Sequence, residues 1–130
     1  MPKTVQSMMA EANAAVAKLS YTEARDLIAK GALVLDVRDG PEVEKTGKVA
    51  GALHISRGML EFRADSATPY HDKTLQKDRP VLIYCASGGR AALSAKLLKD
   101  MGYAEVYNMG GFKDWADAGG ATERALDPGM

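Results

Sequence analysis

Nearly continuous apolar runs alternate along the chain with segments whose apolar positions recur at helical spacing. The clearest runs, residues 32–37 (Ala-Leu-Val-Leu-Asp-Val) and 81–84 (Val-Leu-Ile-Tyr), are typical of strands that are covered on both faces. Shorter runs predict two further strands at 52–55 and 105–107. Strands that alternate with helices in this order predict an α/β fold in which helices flank a central parallel sheet.

Five segments show the apolar spacing or the terminal signals of helices. The second begins with a capping box at Ser20, where Ser-Tyr-Thr-Glu places a glutamate three residues after the serine. The third is expected to direct Met59, Leu60 and Phe62 inward, whereas residues 40–51 are expected to form a loop. The predicted helices span 8–19, 20–30, 58–64, 91–101 and 112–118.

The composition fits a single globular domain. The 130 residues are 46% hydrophobic and 26% charged, which provides enough apolar side chains for one core. We divide the chain into an N-terminal helical extension (1–19), a globular domain (20–118) and a flexible C-terminal tail (119–130). The tail is assigned as flexible because it contains glycines and a proline and shows no apolar periodicity.

Charge and cysteine content exclude several classes of protein. Seventeen basic residues balance seventeen acidic residues, so the chain lacks the positive excess of a nucleic-acid-binding protein. No apolar run approaches the roughly 20 residues that cross a bilayer, and the N-terminus lacks the apolar core of a secretory signal. The single cysteine allows neither an intramolecular disulfide nor a thiolate metal site. We therefore predict a cytoplasmic protein that binds neither nucleic acid nor membrane and uses no metal or other cofactor.

The one cysteine, Cys85, directly follows the strand 81–84 and opens the loop Cys-Ala-Ser-Gly-Gly-Arg, which ends at Arg90. Ligands of α/β sheets bind beyond the carboxyl ends of the strands. The next helix presents its N-terminal amides to the sulfur, the two glycines let the loop curl, and Arg90 adds a positive charge. A buried structural cysteine is the alternative, but these neighbours favour a reactive thiolate in an anion-binding loop.

Four motifs, in order along the chain, resemble those of the rhodanese-like domain family. Cys-x-x-Gly-x-Arg at 85–90 resembles the family's active loop, and Leu-Asp-Val-Arg at 35–38 resembles its first-strand motif. The segment 47–55 resembles Gly-His-Ile-x-Gly-Ala-x-His/Asn-Ile, with lysine at the second position where histidine is common. The segment 108–115 resembles the closing Gly-Gly-x-x-x-Trp motif. The resemblance spans 20–118 and implies a single rhodanese-like domain.

The resemblance implies a sulfurtransferase that works by double displacement. Cys85, as the catalytic nucleophile, would take a sulfane sulfur from thiosulfate, a polysulfide or a persulfide and pass it to a thiol or to cyanide. Only four residues separate Cys85 from Arg90, one fewer than in the related phosphatases, and the smaller ring suits a single sulfur atom. The substrate-binding residues of the loop would be Ala86, Ser87, Gly88, Gly89 and Arg90.

Four residues outside the loop are further candidates. The resemblance implies that Asp36 supports the loop and that Arg38 adds positive potential on the pocket side, the alternative being a surface arginine. Arg57 follows the strand 52–55 and is expected either to face the pocket or to be a solvated residue at a helix start. His54 is expected to have a hydrogen-bonded structural role, because a thiolate that the loop stabilises needs no general base.

Three kinds of function remain open from the sequence. The same thiolate loop suits a sulfurtransferase, and it equally suits a non-catalytic sulfur carrier or redox-sensing interaction domain. A phosphatase or arsenate reductase of the related fold is disfavoured by the short loop. Ala86 and Ser87 stand where thiosulfate-using members carry basic residues, which weakens the expectation that thiosulfate is the donor. The predicted partners are a small sulfur donor and a thiol acceptor or a protein persulfide, and the N-terminal extension could pack on its own domain or pair in a homodimer.

Overall fold

The computed structural model describes residues 2–124 and contains six strands there. They are β1 (Leu33–Asp36), β2 (Lys48–Val49), β3 (Leu53–His54), β4 (Val81–Cys85), β5 (Val106–Gly111) and β6 (Thr122–Glu123). Four strands form one sheet in the order β3-β1-β4-β5, and every neighbouring pair is parallel. The predicted α/β fold with a central parallel sheet is therefore confirmed. β2 and β6 form a separate antiparallel pair.

Helices lie between most of the strands. They are α1 (Val5–Ala15), α2 (Tyr21–Ala29), α3 (Gly40–Thr46), α4 (Leu60–Ala64), α5 (Gly89–Asp100) and α6 (Phe112–Asp117), with a 3₁₀ turn at Arg57–Met59. The capping box predicted at Ser20 is confirmed, since Ser20 Oγ accepts from the Glu23 amide and Glu23 Oε1 accepts from the Ser20 amide. Within residues 2–124, none of the helices has the length and apolar character needed to span a membrane.

The two faces of the sheet carry separate apolar clusters, because successive side chains of a strand point to opposite sides. Ile83 and Cys85 belong to the cluster that includes Leu98 of α5, whereas Tyr84 belongs to the cluster that includes Trp115 of α6. All residues of β1 and β4 are buried, which explains why these strands have nearly continuous apolar sequences. Cys85 therefore ends its strand on the face that α5 covers.

The first helix begins and ends earlier than the predicted span 8–19. Thr4 and Ser7 cap its N-terminus with reciprocal hydrogen bonds, and the helix ends at Ala15. The following residues leave the helix because they pair beside β5, where the Leu19 amide donates to Asn108 O and the Asn108 amide donates to Ala17 O. Tertiary hydrogen bonds thus override the helical tendency of the alanine-rich sequence.

The prediction of a loop at residues 40–51 is wrong, because α3 and β2 lie within it. A capping box between Asp39 and Glu42 begins α3, and Pro41 stands in its first turn. Proline is favoured at that place because its missing amide would have no partner in the helix. The sequence carries the same Asx/Ser-x-x-Glu signal here as at Ser20.

Two side chains of the predicted helix 58–64 point outward instead of inward. Met59 is 40% exposed and Phe62 is 48% exposed, whereas Leu60 is fully buried. The α-helix has only five residues and follows a 3₁₀ turn, so Leu60 and Ala64, four residues apart, form its one buried side. Phe62 instead packs edge-on against Tyr70, with ring centroids 6.4 Å apart.

The chain returns to the domain after α6. Trp115 is buried, and its indole Nε1 donates to Ala121 O at 2.9 Å. The next two residues pair with β2 as β6. Within the predicted flexible tail 119–130, Thr122–Glu123 are paired with β2. Residues 125–130 lie outside the described residues, so flexibility of that part stays a prediction.

Candidate active site

Cys85 is the last residue of β4, and its side chain is buried beneath the loop that follows it. The residue is 1% exposed, and its Sγ accepts a hydrogen bond from the Gly88 amide at 3.0 Å. Gly88 is the N-cap of α5 and has a φ of 107°, a conformation that favours glycine. No side chain caps α5, so its positive end faces the sulfur without competition from a capping group.

A bulge in β5 positions the residue that supports this loop. The pairing between β4 and β5 shifts after Ile83, which is opposite Asn108, so that Tyr84 is opposite Gly110. Asn108 Nδ2 donates to Gly88 O at 3.2 Å, and Asn108 Oδ1 accepts from the Gly110 amide at 2.8 Å. β5 extends beyond the predicted strand 105–107 because it continues through Gly110 and Gly111. Asn108 thereby fixes the residue whose amide contacts the sulfur.

Gly111 lets the loop backbone approach the end of β5. A methyl group on Gly111 would overlap Ala86 O and stand 3.1 Å from the Ser87 Cα. The backbone at Gly111 is extended, with a φ of −108°, which any residue adopts. Glycine is required here for space and not for its conformational freedom.

We expect Gly111→Ala to displace the loop from the sulfur. Relieving the overlap should lower the free energy of unfolding by about 1–3 kcal/mol and the rate of sulfur transfer by roughly 10- to 100-fold. Urea denaturation and turnover with a sulfur donor and cyanide measure the two effects. The matched control is Gly58→Ala, since an added methyl there has no neighbour within 4 Å. Equal behaviour of the two variants would show that the close approach to Ala86 is unimportant.

The guanidinium of Arg90 is paired with Glu42. Arg90 Nη1 and Nη2 donate to Glu42 Oε1 and Oε2 at 2.6 and 2.9 Å, a bidentate pair. The hydrogen bonds from Arg90 lower the pKa of Glu42 from 4.5 to about 2, and those to Glu42 raise the pKa of Arg90. Both groups are therefore charged at neutral pH, and the positive charge expected at the loop is balanced by a carboxylate.

A buried polar network holds the strand end that carries Cys85. Asp36 Oδ2 accepts from Arg38 Nη2 at 2.8 Å and from the Tyr84 hydroxyl at 2.6 Å. The same hydroxyl accepts from the Val49 amide at 3.0 Å. Burial, followed by the hydrogen bond to Asp36, raises the pKa of Tyr84 above its usual value, so the phenol stays protonated. Asp36 is thus linked to the end of β4 by its hydrogen bond with Tyr84, the neighbour of Cys85.

The resemblance implied that Arg38 lies on the pocket side, but the structure buries this side chain among groups of the protein. Arg38 is 2% exposed, and its guanidinium donates to Asp36, Thr46 and Gly47 O. Its carbon Cζ also lies 4.6 Å from the centroid of the Phe112 ring. The hydrogen bonds of this guanidinium are thus made to the protein's own groups.

Arg57 and His54 form their hydrogen bonds with groups outside the active loop. Arg57 Nη1 pairs with Glu61 at 3.0 Å, one turn farther along, which matches the solvated alternative for this residue. His54 Nε2 is 2.6 Å from Arg38 O, so the imidazole contacts the backbone after β1. Neither side chain is in hydrogen-bond contact with the loop residues among the described contacts.

The structure therefore brings together a set of residues that differs from the predicted one. Cys85, the loop backbone and Arg90 are adjacent. Glu42 was not predicted from the sequence, and Asn108 and Gly111 were noted only as part of the motif 108–115, without a role at the site. The capping box at Asp39 could have placed Glu42 on a helix, whereas its contact with Arg90 spans 48 residues and has no local signal. Among residues 2–124, no group of three His, Cys, Asp or Glu side chains is placed to hold a metal ion. The chemistry available is that of a sulfur nucleophile beneath backbone amides.

Comparison with known proteins places the chain among related sequences and folds. The sequence model of the rhodanese-like domain matches residues 20–118. A thiosulfate sulfurtransferase GlpE from Coxiella burnetii is 35% identical over 100 residues, which are 75% of this chain and 85% of the relative. A solved protein of unknown function from Rhodopseudomonas palustris, described as a possible tyrosine phosphatase, has a TM-score of 0.85 at 40% identity and covers 95% of this chain and 99% of its own. The polysulfide-sulfur transferase homodimer from Wolinella succinogenes has a TM-score of 0.72 at 31% identity, over 91% of this chain and 85% of its own.

Proposed function

Because the chain belongs to the rhodanese-like domain family, we propose that it transfers sulfane sulfur through a persulfide on Cys85. The observation that carries the proposal is the contact between Cys85 Sγ and the Gly88 amide at 3.0 Å, at the N-terminus of α5. A donor to a thiolate or persulfide sulfur stabilises its negative charge, and the positive end of the helix adds to this effect. The site thus suits a group that is anionic at every stage of a two-step transfer.

In the first step the Cys85 thiolate attacks the outer sulfur of a donor. A bond forms between the two sulfur atoms, and the donor's own S–S bond breaks with its electron pair on the leaving group. The leaving group is sulfite from thiosulfate, or a shortened polysulfide or thiolate from the other donors. In the second step an acceptor thiolate or cyanide attacks the outer sulfur of the persulfide, and the electron pair returns to Cys85 Sγ.

The loop residues bind the transferred sulfur mainly through their backbone in this proposal. The amides of Ala86, Ser87, Gly88, Gly89 and Arg90 follow Cys85 consecutively, and a run of amides of this kind can form an anion-binding nest. Arg90 contributes through its amide, because its guanidinium is paired with Glu42. With that charge balanced and no basic side chain at 86–89, polysulfides and persulfides are favoured over thiosulfate as donors.

A phosphatase is the competing function, since a related structure is described as a possible tyrosine phosphatase. Both terminal nitrogens of Arg90 already bind Glu42, so this guanidinium is not free to take two oxygens of a phosphate. The Glu42 carboxylate would also repel a phosphate dianion. We therefore expect no turnover of p-nitrophenyl phosphate, and turnover that disappears in Cys85→Ser would contradict the proposal.

Intact-mass spectrometry after incubation with a panel of donors tests the proposal directly. Thiosulfate, inorganic polysulfide and a small organic persulfide should each be tried, and a productive donor adds about 32 Da, one sulfur, to the chain. Cyanide should then remove the added mass. Failure of every donor to add sulfur would overturn the proposed function.

Steady-state kinetics separate an enzyme from a sulfur carrier. An enzyme turns over many times with a small acceptor, whereas a carrier loads once and waits for a protein partner. We expect multiple turnovers with cyanide or a thiol, and a single turnover would favour the carrier. Three further expectations stay predictions: a cytoplasmic location, a protein persulfide as partner and a homodimer. The N-terminal helix α1 packs on α5 of its own chain, where Lys99 Nζ donates to Ala15 O at 2.8 Å.

A further inference from the structure

A cavity of about 380 Å³ lies beside the active loop. The C-terminal half of α1 and the segment after it form one wall, with Asn13 and Lys18, and the loop forms the other wall, with Ser87, Gly88 and Gly89. The first wall precedes residue 20, where the match to the family begins. The cavity is therefore built jointly by the family's active loop and by a part of this chain outside the family match.

Lys18 is the one charged side chain among the described residues that line the cavity. Lys18 is exposed and forms no salt bridge with another residue among 2–124. None of the described residues that line the cavity is acidic, and Asn13 and Ser87 offer neutral hydrogen-bonding groups. The N-terminus of α5 adds to the positive potential. An anionic group is therefore the preferred occupant.

Gly88 contacts both this cavity and the sulfur of Cys85. It lines the cavity, and its amide lies 3.0 Å from Cys85 Sγ. A molecule held in the cavity therefore lies against the residue whose amide contacts the reacting atom. The volume is far larger than a single sulfur atom or a cyanide ion needs, and it accommodates a small organic molecule.

We propose that this cavity binds the carboxylate of a low-molecular-weight thiol, which is the sulfur acceptor, with Lys18 as the recognising cation. The inference rests on the proposed function. In the transfer, the acceptor thiolate attacks the outer sulfur of the Cys85 persulfide, and a new S–S bond forms on the acceptor. The bond between that sulfur and Cys85 Sγ breaks, its electron pair returns to Cys85, and the acceptor leaves as a persulfide anion.

Small acceptors that share a mercaptoethyl group and differ in charge test the inference in the second half-reaction. Cys85 is first loaded with polysulfide, and the loss of the added mass is then timed with 3-mercaptopropionate, 2-mercaptoethanol or cysteamine, at equal thiolate concentration. The wild type should transfer fastest to the carboxylate thiol. Lys18→Gln should lower the ratio of the carboxylate rate to the neutral rate by about three- to fivefold, the range of an exposed ion pair. Lys18→Glu should reverse the preference toward cysteamine.

The matched control is Lys30→Gln. Lys30 is exposed like Lys18, but it precedes β1 and so lies at the opposite end of the parallel sheet from Cys85. Its rate ratio should equal that of the wild type. An unchanged ratio in Lys18→Gln would overturn the inference and leave the proposed function intact, since loading would still occur.

Equilibrium binding tests the cavity without sulfur chemistry. 3-(Methylthio)propionate cannot accept sulfur, and on the full chain it should shift the NMR amide signals of Asn13, Lys18 and Gly88 more strongly than its neutral amide analogue does. Lys18→Gln should weaken this binding severalfold. Equal binding of the charged and neutral compounds would refute a carboxylate site. If Cys85 never loads with sulfur, the proposed function and the acceptor role fail together, while this measurement still decides whether the cavity binds carboxylates.

Discussion

Replacement of Cys85 by serine should abolish sulfur loading and lower turnover by at least about a thousandfold. A serine hydroxyl is not ionised at neutral pH, and its oxygen forms no stable counterpart of the persulfide. Cys85 is the only cysteine of the chain, so no neighbouring thiol can replace it. Intact mass after polysulfide treatment and turnover with cyanide measure the two losses.

The folded state should survive this change. Serine is close to cysteine in size, and its hydroxyl can accept the hydrogen bond that the Gly88 amide donates. The thermal unfolding midpoint should therefore stay within roughly 5 °C of the wild type, as for a change of about 1 kcal/mol. Turnover close to the wild-type rate in a folded Cys85→Ser protein would show that the transferred sulfur is never bound to this residue.

Asp36→Ala should cause a large loss of stability, lowering the free energy of unfolding by about 3–5 kcal/mol. The carboxylate is fully buried and is the counter-charge of Arg38, which is 2% exposed. Its removal leaves the guanidinium charged and without its acidic partner in the core, and it removes the acceptor of the Tyr84 hydroxyl. Chemical denaturation monitored by circular dichroism measures the loss.

Two further variants identify the cause of this effect. Asp26→Ala removes the acidic partner of an exposed Arg–Asp pair at 3.7 Å and should change stability by less than about 0.5 kcal/mol. The double variant Asp36→Ala with Arg38→Met should be more stable than Asp36→Ala alone, by roughly 1 kcal/mol or more, because no unpaired charge remains. If the double variant loses as much stability as Asp36→Ala and Arg38→Met lose separately when added together, the charge-based explanation is contradicted.

Local sequence signals predicted the elements whose causes are themselves local. The apolar run before Cys85 and the glycines after it sufficed to predict a strand, a turn and a helix. The capping box at Ser20 likewise predicted the start of α2, and the same signal stands at Asp39, where α3 begins. These features depend on residues within one turn of each other, which is the range over which caps and periodicity act.

Features that depend on distant partners could not be predicted in the same way. An arginine after a glycine loop indicates a positive site, yet Glu42 binds the guanidinium of Arg90 from 48 residues away. Arg38 similarly follows a strand at a position that a surface arginine also occupies, and its burial results from Asp36, Thr46 and the Gly47 carbonyl. The direction of such a side chain is set by tertiary contacts, which local signals in a single sequence do not predict.

The pairing of residues 17–19 with Asn108 has a consequence for where this folding unit begins. β5 is the outermost strand of the sheet, and the backbone hydrogen bonds with Ala17 and Leu19 cover part of its open edge. An uncovered edge strand is a template for pairing between molecules and promotes aggregation. A chain shortened to the family-matched segment would start at Ser20 and lose this cover. The extension therefore covers part of the sheet edge that such a shortened chain would leave open.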